Sequence, residues 1–556
     1  MTDVDVLVIG GGIAGAGVAL EASRRGLAVM LVEARDFAWG SSSRSSKLVH
    51  GGLRYLREGA FGLTRESVRE RGRLLQDAPG LVEPQRFLMG HYAGRSPSRR
   101  TLGVGLAIYD QMAGERTRAF HLPEEVRALA PHMATDGLQG ASSYLDAKTD
   151  DSRLVMRVLQ EAQQHGARVF NRAAVKSLLR AGDVDVPLSE LAAEGTPTMR
   201  PGTVVGARIE GAGFSGHVRA RCVINATGFW ADGLRRGLGQ PMLRPLRGSH
   251  LVFPLWKLPV AQSVSLLHPR DGRPVFATPW EGVALVGTTD LDHHGDPDIE
   301  PTITARETAY LVEAVRHAFP RLDLRGTDAI CSFAGVRPVV DDRSAGRDPS
   351  KAPREHVVRD EQGLITVTGG KLTTFRVNAL DALRHAAPYL AASTQRGGFG
   401  PTVVAGAEST DDVGAAMSAD AFAYRQADAI FARQPEPPAF AALRHGLRAR
   451  LLGRFGPDAS ALLAEAAPAD LETVAGTGTA WAELHWALRH EQVRFLDDLL
   501  LRRTRLGLLL PDGAAALLPR LEPIAREALG WSAGEWRDQC DRYARLIAQC
   551  YTVPTP

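Results

Sequence analysis

Cysteine is scarce in this chain, and none of it occurs at a spacing typical of a metal site or a redox pair. The four cysteines are Cys222, Cys331, Cys540 and Cys550, and no CxxC occurs among them. This pattern argues against structural zinc and is typical of a protein that folds in a reducing compartment. We therefore predict a cytoplasmic protein without a metal centre.

Long apolar runs are also missing. The most apolar stretch, residues 251–267, contains Pro254, Lys257 and Pro259, so we expect no membrane-spanning helix. The first twelve residues contain Asp3 and Asp5 and no basic segment, which is not the composition of a signal peptide.

Lysine is scarce too, because only six of the 66 basic residues are lysine. A single arginine therefore carries little information, whereas a lysine in an unusual place carries more. The net charge of +3 is too small to predict nucleic-acid binding. With 44% hydrophobic and 23% charged residues in 556, the chain is long and apolar enough for several globular domains.

The first 35 residues contain the clearest pattern. Residues 5–9 (DVLVI) and 27–32 (LAVMLV) read as buried strands, and the Ala-rich stretch between them reads as a helix that ends at Gly26. The intervening turn has the spacing Gly10-x-Gly12-x-x-Gly15, and Glu33 follows the second strand. Such glycines allow a pyrophosphate to approach the helix N-terminus, and the acid can bind ribose hydroxyls. The sequence therefore predicts an α/β nucleotide-binding fold of the Rossmann type.

A polar, Gly-rich segment follows directly. Residues 40–57 (GSSSRSSKLVHGGLRYLR) concentrate hydroxyl groups with Lys47, His50, Arg54 and Tyr55. A solvated loop would have a similar composition, but in a nucleotide-binding domain a loop at this place lies over the cofactor. We predict that it belongs to the site.

The rest of the chain alternates strands and helices and then becomes helical. We predict helices over 63–76 and 150–166, strands over 167–175 and 219–228, and a strand, Gly-Gly turn and helix over 364–375. Residues 262–290 alternate strand-like and turn-like segments, which predicts an antiparallel sheet. Residues 182–202 are rich in Pro and Gly, which predicts a surface insertion.

Eight motifs follow one another along the chain: GGGIAGAG, SSKLVHGGLRY, NATG, GSH, GTTD, GVRP, GGKLTT and the C-terminal HEQVRFLDDLLLRRTRLGLLL. Together they resemble the FAD-dependent glycerol-3-phosphate dehydrogenases of the respiratory, membrane-associated type. SSKLVHGGLRY and GGKLTT are specific to this family, whereas many flavoproteins of the glutathione-reductase type share the first Gly motif and ATG. The insertion at 182–202 and the linker at 396–411 are longer than this family leads us to expect.

The resemblance implies three domains. A Rossmann-type FAD-binding domain of the glutathione-reductase type would comprise 1–75, 150–245 and 335–395, and an antiparallel-sheet substrate (cap) domain would comprise 76–149 and 246–334. After the linker at 396–411, residues 412–556 would form an all-helical C-terminal domain.

The resemblance also implies which residues hold FAD. The ADP part would lie on the first Gly motif and Glu33, with Val175 at the adenine. The Ser-rich loop would follow the pyrophosphate and flavin, ATG would lie beside the cofactor, and GGKLTT would lie at the flavin ring. The residues are Gly10, Gly12, Ile13, Ala14, Gly15, Glu33, Ser45, Ser46, Lys47, Leu48, Gly52, Val175, Ala226, Thr227, Gly228, Gly370, Lys371, Leu372, Thr373 and Thr374.

The implied substrate is sn-glycerol 3-phosphate, a dianion that needs convergent cations. Arg54, Arg337, Arg354 and Lys371 are the expected cations, and Tyr55 would donate to a substrate oxygen. The reaction would transfer a hydride from C2 to flavin N5 and give dihydroxyacetone phosphate. His50 or His250 would take the hydroxyl proton, with transfer assisted by Arg337 or mediated by water as the alternatives.

The electron acceptor is left open by the sequence. A respiratory dehydrogenase passes electrons to membrane quinone, an oxidase of the same substrate passes them to oxygen, and a third interpretation is a non-catalytic flavoprotein. The retained phosphate-binding motifs argue against the third, and a NAD-linked enzyme would leave the Ser-rich loop unexplained.

Use of quinone requires contact with a bilayer. Residues 95–109 (RSPSRRTLGVGLAIY) are basic and then apolar, so Arg95, Arg99 and Arg100 could meet anionic headgroups. Leu102, Val104, Leu106 and Ile108 would then enter the acyl boundary; a surface loop leading into an ordinary core segment is the alternative. We expect a peripheral protein on the inner face of the cell membrane, with a homodimer as one possible assembly.

Overall fold

The structure is a computed structural model of the 556-residue chain. It describes residues 1–94, 97–183, 200–340, 355–390, 429–431 and 436–554. Most of the insertion, the whole predicted linker, Arg95 and Arg354 lie outside the described residues. The chain divides into two compact units. Unit 1 holds Met1–Ser42, Leu154–Pro245 and Arg337–Phe431, and unit 2 holds Ser43–Arg153, Leu246–Val336 and Ala432–Pro556.

The strands, in chain order, are β1 Thr2–Ile9, β2 Val29–Val32, β3 Leu48–Val49, β4 Val82–Tyr92, β5 Ala119–His121, β6 Leu138–Thr149, β7 Arg168–Phe170, β8 Ala174–Arg180, β9 Val204–Glu210, β10 Gly216–Asn225, β11 Leu243–Pro254, β12 Ser263–Leu267, β13 Pro274–Trp280, β14 Val283–Gly287, β15 Leu291–Asp292, β16 Cys331–Val340, β17 His356–Glu361 and β18 Leu364–Gly369. The described α-helices are α1 Ile13–Ser23, α2 Leu53–Arg57, α3 Phe61–Asp77, α4 Arg99–Ala113, α5 Pro123–Leu129, α6 Asp151–Gln164, α7 Ala231–Leu234, α8 Ala305–Ala318, α9 Phe375–Leu390, α10 His445–Phe455, α11 Ala459–Glu465, α12 Trp481–His490, α13 Leu506–Leu509, α14 Leu518–Leu529 and α15 Ala533–Leu546.

Unit 1 is built on a sheet of eight strands. Its main order is β17-β18-β10-β1-β2-β7, and β9 and β8 extend it from β10. The strands from β18 to β7 run parallel, whereas β17 and β9 are antiparallel to their neighbours. Helices α1 and α9 pack closely, because a Cβ at Gly17 would lie 2.8 Å from the Phe375 ring. The predicted Rossmann-type fold is confirmed.

The predicted strand over 167–175 is wrong in its extent. The chain forms β7 and then β8, and Val175 is the second residue of β8 instead of the end of one strand. Arg172 interrupts the strand with a left-handed φ of 52°. Its amide donates to the Arg35 carbonyl, and the next amide donates to the Glu33 carbonyl, so the chain bends to follow the end of β2.

Unit 2 is built on a sheet of ten strands. Its main order is β15-β11-β14-β13-β12-β4-β6-β3, with β16 beside β11 and β5 beside β6. Most pairs are antiparallel, as predicted for 262–290, but β12 and β4 run parallel. The C-terminal helices share a core with this sheet, in which Trp280 and Phe333 pack with Leu484, Leu499 and Trp536.

The predicted fold class, an α/β fold of the Rossmann type with an antiparallel sheet and a helical C-terminal region, is confirmed. The predicted domain boundaries stay a prediction. No helix among the described residues is both long enough and apolar enough to cross a membrane.

Candidate functional site

The first Gly motif forms the turn between β1 and α1 in unit 1. Gly10 has a left-handed φ of 113°, and a Cβ there would lie 2.6 Å from the Ala226 carbonyl oxygen. A Cβ at Gly15 would lie 1.9 Å from the Gly10 carbonyl oxygen, so this position also excludes a side chain. Gly12 caps the helix, and no acidic residue lies in its first turn. No acidic residue of the helix itself therefore offsets the partial positive charge at its N-terminus.

Glu33 is fixed at this turn by two backbone donors. The amides of Gly11 and Arg35 each donate to one of its carboxylate oxygens, at 2.7 Å in both cases. Burial raises the pKa of this carboxyl, and the two amide donors oppose the rise. Each oxygen keeps a second lone pair that can accept a ribose hydroxyl.

Two other predicted motifs follow neighbouring strands of the same sheet. Ala226, Thr227 and Gly228 follow β10. Gly369 ends β18 and Gly370 follows it, with left-handed φ angles of 77° and 72°. The Thr368 hydroxyl donates to the Gly228 carbonyl at 3.2 Å, which joins the two turns. After Lys371, residues Leu372–Thr374 form a 3₁₀ turn that leads into α9.

These turns fit the ADP part of a dinucleotide cofactor. The carboxyl ends of β1, β2 and β10 meet at one edge of the sheet, where such cofactors bind. Gly12 has no side chain, so the backbone at this edge is uncovered. There is also little room for one, since a Cβ at Gly12 would lie 3.1 Å from the Ser42 hydroxyl oxygen. Ile13 donates to that hydroxyl at 3.0 Å, and Ala14 follows it in the first turn of α1.

The Ser-rich loop continues in unit 2 as a tight turn, Ser43–Lys47. One carboxylate oxygen of Asp151 accepts from the Ser45 amide at 2.9 Å, the Ser45 hydroxyl at 2.7 Å and the Lys47 ammonium at 2.8 Å. The ammonium also donates to the Ser43 carbonyl at 2.6 Å. Because the Lys47 side chain is 0% exposed, the prediction that this residue lies along the cofactor is limited to its backbone.

Burial, and next the Arg505 guanidinium, lower the pKa of Lys47 to about 7, against the attraction of Asp151. This is a large shift, because the pKa of an exposed lysine is near 10.4. The ring of Phe333 lies 4.7 Å from this nitrogen and that of Trp280 lies 5.5 Å from it.

Ser46 contacts one of the predicted histidines. Its hydroxyl lies 2.9 Å from Nε2 of His250. The His250 ring is 1% exposed and stacks on Phe333, with ring centroids 4.8 Å apart. The structure therefore brings Ser46 and His250 together and buries the histidine.

The segment after β3 contains the other predicted substrate residues. His50 is half-buried, and the Gly51 amide donates to Asp146 at 3.0 Å. Gly52 has a left-handed φ of 80° and caps α2, which carries Arg54 and Tyr55. Arg54 pairs with Glu58 at 2.8 Å, and Tyr55 is buried. Leu48 is buried in β3.

Arg337 and Lys371 both lie in unit 1 and are half-buried. Arg337 is on β16, and Lys371 directly precedes the 3₁₀ turn. Arg354 lies outside the described residues.

Most of the stretch that was predicted to face lipid belongs to helix α4. The prediction that Leu102 and Leu106 enter the acyl boundary is wrong, because both side chains are buried in the protein. Leu102 and Leu106 are 9% and 1% exposed, and they pack with Val68, Phe87 and Tyr144. Hydrophobic residues at positions 102, 106 and 109 form a helical stripe that faces the protein. Val104, at 63% exposure, points away from it.

Sequence reasoning missed the residues that hold the Ser43–Lys47 turn. They are Asp151 at the start of α6, Arg505 in the C-terminal region and Gly335 on β16, where a Cβ would lie 2.7 Å from the Arg44 carbonyl oxygen. Gly335 could have been found, because it is the glycine of the GVRP motif. Arg505 could not be singled out, because arginine is common throughout this chain.

The parallel sheet, the glycine turn at its edge and the acid after β2 define a dinucleotide-dependent protein. Residues 5–376 match the family of FAD-dependent oxidoreductases, and residues 404–535 match the C-terminal domain of alpha-glycerophosphate oxidase. The chain therefore belongs to the FAD-dependent oxidoreductases, and FAD is its cofactor.

The relatives narrow the family. The chain is 33% identical to the aerobic glycerol-3-phosphate dehydrogenase of Staphylococcus saprophyticus, over 90% of this chain and 86% of that protein. It is 31% identical to the enzyme of the same name from Staphylococcus aureus, again over 90% and 86%. Within the FAD-dependent oxidoreductases, the chain is thus a member of the glycerol-3-phosphate dehydrogenase family.

A solved structure has the same fold. The glycerol-3-phosphate dehydrogenase of Bacillus halodurans, complexed with FAD, matches with a TM-score of 0.68 and 24% identity. The match covers 98% of this chain and 95% of that one.

We expect Gly12→Val to abolish FAD binding, because the new side chain would occupy the bare edge where a pyrophosphate approaches. The measurement is the visible absorbance of the purified protein, which should be colourless. Gly233→Ala is the matched control, since a Cβ there meets nothing within 4 Å, and it should stay yellow. A yellow Gly12→Val variant would contradict the assignment.

We expect stability to rise with pH above 7 because of Lys47. Its pKa is about 7 when folded and near 10.5 when unfolded, so between these values the unfolded state binds the additional proton. In denaturant titrations from pH 7 to 8.5, the wild type should gain on Lys47→Met by up to about 1.4 kcal/mol per pH unit. The exposed Lys176→Met should keep the wild-type slope, and equal slopes in all three proteins would contradict the expectation.

Proposed function

We propose that this protein oxidises sn-glycerol 3-phosphate to dihydroxyacetone phosphate and passes the electrons to a membrane quinone. The observation that carries the proposal is the 33% identity to the aerobic glycerol-3-phosphate dehydrogenase of Staphylococcus saprophyticus, over 86% of the length of that protein. The two glycine turns and Glu33 support the cofactor part. When bound, FAD supplies the acceptor for the hydride that leaves C2.

Arg337 and Lys371 are the cations that we assign to the substrate phosphate. Both are half-buried, so their charges are less screened than those of surface arginines. Lys371 follows two glycines in left-handed conformations and precedes a helix, so its backbone also faces the region where an anion is stabilised. Arg54 and Tyr55 are assigned to the remaining substrate oxygens, and Arg354 stays a prediction.

The hydroxyl proton needs an acceptor, and His50 suits this role better than His250. His50 is half-buried and can exchange a proton with solvent, whereas His250 is 1% exposed and lies 2.9 Å from the Ser46 hydroxyl. We therefore assign proton acceptance to His50 and the positioning of Ser46 to His250.

Anaerobic addition of sn-glycerol 3-phosphate should bleach the yellow protein, and glycerol should not. Arg337→Ala and Lys371→Ala should each lower kcat/KM by about 2–4 kcal/mol, roughly 30- to 1000-fold, because each leaves a phosphate charge unpaired. The exposed Arg359→Ala and Lys176→Ala are the controls and should keep wild-type kcat/KM. If the substrate leaves the colour unchanged, the proposed reaction is wrong. Normal kcat/KM in both variants would refute only the phosphate assignment.

The acceptor is tested with the same preparation. A dehydrogenase should reduce a short-chain quinone under nitrogen and form little hydrogen peroxide in air. An oxidase would give one peroxide for each substrate oxidised, and that outcome would replace quinone with oxygen in the proposal.

We assign the membrane contact to the exposed sides of α3 and α4, which we call the α3–α4 face. It consists of Phe61, Arg65 and Arg69 on α3 and of Arg100 and Val104 on α4. Phe61 is 51% exposed and Val104 is 63% exposed, and the three arginines are exposed as well. Arg99 is left out, because its guanidinium lies 3.5 Å from the centre of the Phe120 ring.

Three arginines near an anionic surface supply roughly 3 kcal/mol, so the contact should be salt-sensitive. Changing Arg65, Arg69 and Arg100 to Glu should release the protein from vesicles that contain phosphatidylglycerol, while dye-linked turnover in solution stays intact. Arg270, Arg316 and Arg325 changed to Glu form the control, since they are 66%, 52% and 71% exposed on other elements. Equal sedimentation of the two triple variants would place the contact elsewhere.

A further inference from the structure

The C-terminal motif LLLRRTR contains three buried arginines that the proposed reaction does not use. Arg502, Arg503 and Arg505 are 1%, 2% and 1% exposed. The first two end a π-helix, Asp498–Arg503, and Arg505 follows with a left-handed φ of 65° before α13. Three buried guanidinium groups in four residues are costly unless each has a defined partner.

The partners of these arginines differ in their place in the fold. Arg502 pairs with Asp497 and Asp498 within its own segment, and Arg503 donates to the Glu491 carbonyl at 2.8 and 3.1 Å. Arg505 instead reaches the Ser43–Lys47 turn, whose Ser43 carbonyl accepts from its Nη2 at 2.6 Å. Its Nη1 donates to the Leu501 carbonyl at 2.7 Å, which fixes the guanidinium plane.

We propose that Arg505 is a positioning residue for the active site, because its guanidinium holds Ser43 and Asp151 so that Ser46 meets His250. The inference rests on the proposed function, in which this turn belongs to the active site. All five residues lie in unit 2.

The turn needs such a support. Lys47 has a left-handed φ of 59°, a conformation that is unfavourable for a residue with a side chain. The Ser43 carbonyl accepts from both Lys47 and Arg505, and the second oxygen of Asp151 lies 3.3 Å from Nη2 of Arg505. The guanidinium therefore joins the first residue of the turn to the carboxylate that binds its middle and its end.

The charges around Lys47 make the role of Arg505 measurable. Lys47 faces the carboxylates of Asp151 and Asp150, the guanidinium of Arg505 and the rings of Trp280 and Phe333. Arg505 lowers the pKa of Lys47, and only burial lowers it more. A neutral residue at position 505 removes this repulsion, so Lys47 should keep its proton to higher pH.

The test compares Arg505→Gln, Arg505→Lys and Arg503→Gln in the FAD-loaded protein. Arg503→Gln is the matched control, since it removes an equally buried guanidinium from the same segment. Three quantities are measured: amide hydrogen exchange of a peptide that covers 41–50, the visible flavin spectrum, and the pH dependence of kcat and KM for sn-glycerol 3-phosphate.

Arg505→Gln should speed exchange in this peptide and lower kcat on the order of 10- to 100-fold with little change in KM. Arg505→Gln should also shift the pH dependence of kcat to higher pH. Arg505→Lys should restore part of kcat. Arg503→Gln should leave the exchange of this peptide at the wild-type rate. If both Gln variants give the same exchange and the same kcat, Arg505 is only a structural residue and the proposal is wrong.

Two further outcomes are informative. If Arg505→Gln does not accumulate, Arg505→Lys decides, since one ammonium cannot bind the Ser43 and Leu501 carbonyls with the same geometry. Wild-type exchange and kcat in that variant would overturn the proposal. If the wild type does not oxidise the substrate, the proposed function fails, while exchange and the flavin spectrum still test whether Arg505 positions the turn.

Discussion

The buried carboxylates of Asp150 and Asp151 are the constraint on which unit 2 depends. Removing such groups from water costs several kcal/mol each, and the chain must offset this with cations and amide donors. Burial alone would raise the pKa of Asp150, but Arg454 at 2.5 Å, Arg505 and Lys47 hold it at about 2. Asp151 is satisfied by the Ser43–Lys47 turn in the same way. A helix start, an N-terminal turn and two C-terminal arginines are therefore stable only together.

The predicted cofactor turn of unit 1 depends on the absence of side chains, whereas unit 2 depends on buried charges. At Gly10 and Gly15 the backbone approaches other backbone so closely that no Cβ fits, and at Gly12 the absence of a side chain leaves the edge of the sheet bare. These requirements are local, since they arise within one strand, one turn and one helix. For this reason the spacing of three glycines, together with the strands on either side, was enough to predict the turn and the helix after it, while the role of Glu33 stays a prediction.

Long-range partners could not be predicted in this way. Nothing near Asp151 in the sequence indicates that it receives three donors from the Ser-rich loop, and one arginine among so many gives no reason to single out Arg505. The basic-then-apolar stretch at 95–109 was ambiguous for another reason. Leu102 and Leu106 have the spacing of a buried helical stripe, but the same spacing occurs in helices that lie on lipid. The neighbouring helix α3 and strands β4 and β6, which are distant in sequence or follow later, decide which face they bury.

The hydrogen bond between Arg505 and Ser43 also has a consequence for biosynthesis. The two residues are 462 positions apart, so the carbonyl emerges from the ribosome long before its partner exists. At about 5–20 residues per second, the delay is on the order of half a minute to a minute and a half. During this interval the nascent chain carries Lys47 without the complete set of charges that stabilises its turn. The hydrogen bond from Arg505 to this turn therefore forms late in synthesis, and a chain truncated before residue 505 cannot form it.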